Sequence, residues 1–162
     1  MAREIERKFL LEGDGWRPLA HSGKRFEQFY LFAGEDRSCR VRITDGASAK
    51  LTIKTGRGLS RGEFEYAIPL DDAETLRASA LGRILEKTRH LVANGRHTIE
   101  VDVYEGVLDG LVVAEIELSD ENESFERPDF LGVEITGDER YLNQTLALRE
   151  QGEPPENHRE KR

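Results

Sequence analysis

Apolar and polar residues alternate with a period of two along much of this chain, the pattern of strands that bury one face. The alternation predicts strands at 3–11 (REIERKFLL), 26–33, 38–44, 48–55, 62–69, 85–92, 97–104 and 112–119. Turn-forming residues separate most of them: Asp45-Gly46, Gly56 with Gly58, Asn94-Gly95 and Asp109-Gly110. Two intervals read as helices. Residues 71–83 open on Asp71-Asp72 and carry Ala73, Leu76, Ala80 and Ile84 on one stripe, while 138–148 hold Leu142 and Leu146 with Tyr141 beside them. Short strands at hairpin spacing with flanking helices predict a mainly β (α+β) fold built on an eight-stranded antiparallel barrel. The domain is expected over 1–150. The polar, proline-bearing end, 151–162, is expected to be a disordered tail.

The polar faces of these strands are unusual. They carry charge in like-signed pairs: Glu4 and Glu6 (followed by Lys8), Arg40 and Arg42, Lys50 and Lys54, Glu63 and Glu65, Lys87 and Arg89, Glu100 and Asp102, Glu115 and Glu117. The opposite faces are apolar, as in Val41/Ile43, Leu51/Ile53, Phe64/Tyr66 and Ile99/Val101/Val103. Like charges two positions apart on a strand lie roughly 7 Å from each other and cost on the order of 2 kcal/mol per pair at an effective dielectric near 20. A solvated face would mix Ser, Thr and Gln among its charges and avoid that cost. Compensation must come from opposite-signed neighbours, from a bound polyanion for the Arg/Lys strands, or from divalent metal for the Glu/Asp strands. The charged rows therefore point to a cavity that inverts the usual small barrel, with ionic side chains inside and apolar ones outside.

Composition narrows the ligand. Acidic residues outnumber basic ones by 32 to 24, and the net charge of −8 speaks against broad nucleic-acid or anionic-membrane binding. The charged opening predicts no secretory signal, no segment is apolar enough to span a bilayer, and a cytoplasmic location is expected. Cys39 is the only cysteine, so no intrachain disulfide forms and no metal site rests on thiolates. His21, His90 and His97 show no ligand spacing, and Trp16 is expected to pack in the core. The cations suit phosphate oxygens, arginine as a fork and lysine as a point charge, whereas carboxylates are the hard donors that Mg²⁺ or Mn²⁺ takes alongside substrate phosphates. GRGLSRGE at 56–63 lacks the spacing of a phosphate-binding P-loop and reads as a hairpin turn.

The opening EIERK at 4–8 resembles the E-x-E-x-K signature of the CYTH family, the triphosphate tunnel metalloenzymes. The resemblance continues through QFYL at 28–31, CRVRI at 39–43, LTIKTGRGLSRGEFE at 51–65, LEKTRH at 85–90, IEVDVY at 99–104, VAEIEL at 113–118 and DERYLNQTLAL at 138–148, and is greatest to the compact prokaryotic members. It implies an eight-stranded charged tunnel that binds a small-molecule triphosphate with Mg²⁺ or Mn²⁺ and hydrolyses inorganic triphosphate to pyrophosphate and phosphate. By that likeness Lys8, Arg40, Arg42, Lys54, Lys87 and Arg89 hold phosphates, with Lys50 and Arg61 as substitutes. Glu4, Glu6, Asp102, Glu115 and Glu117 hold metal, with Glu63, Glu65 and Glu100 as supporting acids. Lys87 acts as a base or water-positioner, its pKa depressed by Arg89 and Arg42, and Tyr30 is a candidate to hydrogen-bond it. The alternatives are an adenylyl cyclase or organic triphosphatase in the same tunnel, or a non-catalytic polyphosphate-binding module. The apolar outer faces leave surface for a homodimer.

Overall fold

The computed structural model describes residues 3–148, so the expected tail lies outside the described residues. Among the described residues, nine antiparallel strands form one sheet: β1 (Arg3–Leu11), β2 (Ala20–Ala33), β3 (Arg37–Thr44), β4 (Ser48–Thr55), β5 (Ser60–Ile68), β6 (Leu81–Asn94), β7 (His97–Tyr104), β8 (Val112–Glu117) and β9 (Leu131–Glu134). They run in the order β5-β4-β3-β2-β6-β7-β8-β1-β9, and β1 also pairs with β5, closing eight of them into a barrel. The closure is short. Arg3, Glu4 and Ile5 face Gly62, Arg61 and Ser60, after which β1 leaves β5 and meets β9 at Phe9 and Leu11. Glycine stands at Gly62 because a Cβ there would overlap the Thr55 hydroxyl on β4.

The expected helices are shorter than their apolar spacing implies. The first is α1 (Leu70–Leu76), continued by a 3₁₀ turn at Arg77–Ser79; the second is a 3₁₀ turn at Glu139–Tyr141 followed by α2 (Asn143–Leu148). The stripe Ala73, Leu76, Ala80 and Ile84 nevertheless packs as one surface, against Phe29, Val41, Ile43 and Ala49 on the outside of β2, β3 and β4. Ile84 belongs to β6, which begins at Leu81 and turns through Gly82, a left-handed residue (φ 73°) lying against the Ala147 carbonyl of α2.

The barrel is inverted as the charge pattern predicts. Outer faces of β1, β6, β7 and β8 give Phe9, Val92, Ile99, Val101, Ala114 and Ile116, covered by Trp16 and Phe130 from the connecting segments and by Leu131 of β9. The inward rows are ionic over most of their length. At the end where β1 finishes they turn apolar, as Leu10, Tyr30, Leu85, Tyr104 and Val113, and Tyr141, Leu146 and Ala147 pack onto that layer. One end of the barrel is thus partly filled by apolar side chains. Beside that layer, toward β4 and β5, a cavity of about 440 Å³ opens between the 33–38 turn, the 56–59 loop and residues 135–145, with Glu6, Lys8, Lys54 and Arg61 in its wall. No helix among the described residues is long and apolar enough to cross a membrane.

Candidate active site

Register fixes the site, because a strand facing inward at one residue faces inward at every second one. Arg89 of β6 lies directly opposite Asp102 of β7. Its Nε and Nη2 donate to the two carboxylate oxygens at 2.8 and 2.9 Å, and Nη1 donates to Glu100 at 3.1 Å. Lys87 Nζ donates to Asp102 Oδ2 at 2.6 Å, and both side chains are 0% exposed. Burial favours the neutral acid, but Lys87 and Arg89 outweigh it and hold the Asp102 carboxyl at about 2. Burial, aided by Arg89 and Arg42 and opposed by Asp102, lowers Lys87 to about 7. The two shifts are compatible because Arg89 shares the carboxylate: Asp102 has two cations bonded to it, whereas Lys87 bonds one carboxylate, feels Glu115 only weakly and has two arginines nearby.

Arg40 and Arg42 of β3 have no such partner among the described residues. Arg42 donates to Gln28 Oε1 through Nε and Nη2 at 3.1 and 3.0 Å and lies over the Phe26 ring, 4.2 Å from its centre. Arg40 reaches Thr52 Oγ1 at 3.4 Å, while its buried Nε has no acceptor among the described residues. Among the described residues neither guanidinium has a carboxylate within 4 Å. Burial, then Arg40 and Arg89, pushes Arg42 down to about 9. Two neighbouring guanidinium groups, one buried and one half-buried, without a paired carboxylate form a site for an anion.

The carboxylates gather on β8, β1 and β5. Glu4 pairs with Lys54 at 2.9 Å and lies 3.8 Å from Arg61, which is 3.9 Å from Glu6. Glu115 lies 3.8 Å from both Lys8 and Arg89, and Lys8 Nζ donates to the Tyr141 carbonyl at 3.2 Å. Glu6 lies close enough to Glu4 and Glu115 for the three carboxylates to influence one another. Burial and the repulsion of Glu115 and Glu4 raise it well above the ordinary range. Burial and Glu4 raise Glu63 to about 7, and burial with Glu4, Glu65 and Glu115 raises Glu117. This excess of negative charge on all-oxygen donors fits a hard divalent cation, which would relieve the same repulsion that protons now relieve. As they stand, no three carboxylates among the described residues converge on one point ready to hold an ion.

The predicted ionic residues share one interior, with differences at its edges. Asp102, expected among the metal carboxylates, has both oxygens engaged by Lys87 and Arg89, because the ladder sets it against Arg89. Tyr30 does not bond Lys87, whose hydrogen bond goes to Asp102. A strand irregularity after Tyr30 and its neighbours Leu85 and Tyr141 place that ring in the apolar layer, and the aromatic beside Lys87 is Tyr104, its ring centre 5.4 Å from Nζ. Lys50, Glu65 and Glu117 are exposed, toward the end of the barrel where β1 begins. Gln28 and Thr52 also face inward but are neutral, so the charge pattern of the sequence does not mark them. The pairing of β1 with β5 makes Arg61 a wall residue.

Three comparisons bear on this site. The family model described as CYTH domain matches residues 2–149. An inorganic triphosphatase of Acetivibrio thermocellus is 45% identical over 149 residues, covering 91% of this chain and 94% of the relative. An inorganic triphosphatase of Nitrosomonas europaea is 37% identical over 150 residues, covering 90% and 97%. The crystal structure of an inorganic triphosphatase superposes with a TM-score of 0.66 at 32% identity, covering 93% of this chain and 98% of that one.

Proposed function

Because the chain belongs to the CYTH family, we propose that its tunnel hydrolyses inorganic triphosphate to pyrophosphate and phosphate with Mg²⁺ or Mn²⁺ as the metal. The carrying observation is the pair of buried Arg40 and half-buried Arg42, without an acid within 4 Å among the described residues, next to cations that do have acids. Arg40 and Arg42 take phosphoryl oxygens, Lys8, Lys54 and Arg61 extend the positive wall toward the cavity, and Arg89 and Asp102 hold Lys87 in place. Phosphoryl transfer asks mainly for position and for charge matched to the transition state, which this array supplies without rearrangement. Lys87, lowered to about 7, takes a proton from the attacking water at neutral pH. Glu4, Glu6, Glu115 and Glu117 would hold the divalent ion, with Glu63, Glu65 and Glu100 around them; bound there, it supplies charge neutralisation to the phosphates. A cytoplasmic location without nucleic-acid or membrane partners accords with the charge of −8. Exposed Tyr66 and Val133 on the strands support a homodimer.

The test is phosphate release from tripolyphosphate with each metal. Arg42→Ala is expected to lower kcat/KM by about 10²–10³-fold, the loss typical of a preorganised charge-stabilising donor. An inactive wild-type protein, or one that converts ATP to cyclic AMP in preference, would overturn the assignment. Binding of polyphosphate without turnover would assign a binding module instead.

The carboxylates make a second expectation independent of turnover. Glu63, Glu6 and Glu117 bind protons more tightly folded than unfolded, so their contribution to stability falls as pH rises from about 4.5, for Glu63 through about 7. Metal competes with those protons. Thermal melting should show Mg²⁺ or Mn²⁺ raising Tm more at about pH 7.5 than at about pH 5. An equal shift at both pH values would place the ion elsewhere.

A further inference from the structure

We infer that Gln28 is itself a substrate-binding residue, its side-chain NH₂ donating to a phosphoryl oxygen beside Arg40; this rests on the reading of the tunnel as a triphosphate site. Gln28 is 0% exposed, on the inward row of β2, opposite Arg42 of β3 and Leu85 of β6. Its orientation is fixed by chemistry. Arg42 can only donate, so the atom receiving its two bonds is the amide oxygen, and the NH₂ must face the other way. That nitrogen is buried and has no acceptor among the described residues. A buried amide donor left unpaired is strongly disfavoured unless an acceptor arrives.

A second donor in the same condition lies on the next rung. Tyr30 faces Arg40 across the ladder, which makes Arg40 the diagonal neighbour of Gln28, and Arg40 Nε also lacks an acceptor among the described residues. An NH₂ group cannot ligate a cation, so the acidic wall's metal is not its partner. A phosphoryl group offers several acceptor oxygens to adjacent donors. Gln28 therefore has two roles through its two ends: its oxygen orients Arg42, and its nitrogen reads the phosphate as a neutral donor where a further cation would add repulsion to Arg40, Arg42 and Arg89.

The competing role is orientation of Arg42 alone, and a double-mutant cycle separates the two. Wild type, Gln28→Met, Arg42→Met and the double variant are titrated with tripolyphosphate by calorimetry without metal, with melting curves to confirm folding. Gln28→Met is expected to weaken binding about 10-fold, and to weaken it about 5-fold again in the Arg42→Met background. The double variant leaves neither partner of that hydrogen bond unpaired, so the comparison stays readable even where Gln28→Met alone is unstable. A double variant that binds as Arg42→Met does would reduce Gln28 to a positioning residue and overturn the inference. If the wild type neither binds nor cleaves tripolyphosphate, the triphosphatase reading falls and the inference with it. If it does both, only the Gln28 assignment is at stake.

Discussion

Asp102→Ala is expected to be the most destabilising substitution in the tunnel, and tripolyphosphate should partly reverse its effect. Asp102 is fully buried and receives Lys87 at 2.6 Å and Arg89 at 2.8 and 2.9 Å. Removing one member of a buried pair leaves the other charged in a poor solvent, which costs about 3–5 kcal/mol. Two relaxations pull toward the lower figure. Arg89 keeps Glu100 at 3.1 Å, and Lys87, already lowered to about 7, can lose its proton. At about 2–4 °C per kcal/mol for a chain of this size, Tm should fall by roughly 10 °C.

The signs of two dependences make that result diagnostic. With its hydrogen-bonded carboxylate gone, the Lys87 pKa drops further, and the unfolded chain then binds more protons than the folded one up to the ordinary lysine range. Stability of the variant should therefore begin to rise at a lower pH than that of wild type, whose Lys87 keeps its proton up to about 7. An anion placed among Lys87, Arg89 and Arg42 replaces the missing charge, so tripolyphosphate should raise Tm more in the variant than in wild type. Differential melting with pH and anion as variables measures all three effects. A variant within about 2 °C of wild type and indifferent to anion would mean that Asp102 is not what neutralises these cations.

The part of this architecture legible in sequence is the part that repeats. Eight strands announce themselves because every second residue is ionic and its neighbours are apolar, and closure turns those rows into one interior. β9 stays hidden: Leu131–Glu134 is too short to show a period, and β1 is a partner only after it has left β5. The polar start of β2, AHSGKR, gives no apolar alternation either, and it is a strand because β6 runs beside it through irregular register at His21 and Gly23. Pairing across strands is equally absent from a one-dimensional pattern. Nothing within IEVDV says that Asp102 faces Arg89 and not a metal, or that Glu6 lies close to both Glu4 and Glu115. Neutral residues were the larger omission, since Gln28 and Thr52 carry no charge to mark them, yet their burial beside arginines gives them a place in the site.

Lys87→Met should leave tripolyphosphate bound and the reaction slow. Lys87 is where three influences meet: complete burial, a carboxylate at 2.6 Å, and two arginines. Together they lower the ammonium to about 7, the value at which an amine can both accept a proton and release it near neutral pH. Arg40 and Arg42, untouched by the change, retain the anion, so KM should move little while kcat falls by about 10²–10⁴-fold. Methionine occupies similar volume but leaves Asp102 with Arg89 alone, so stability is measured alongside rate. The pH profile distinguishes the roles open to this lysine. As a base it works deprotonated, and wild-type kcat should climb as pH rises through about 7 and then level, a limb that Lys87→Met lacks. As a phosphate ligand it works protonated, and the same limb would descend. A descending limb, or a rate within threefold of wild type in the variant, would remove Lys87 from proton transfer and leave the tunnel's catalysis to charge and position alone.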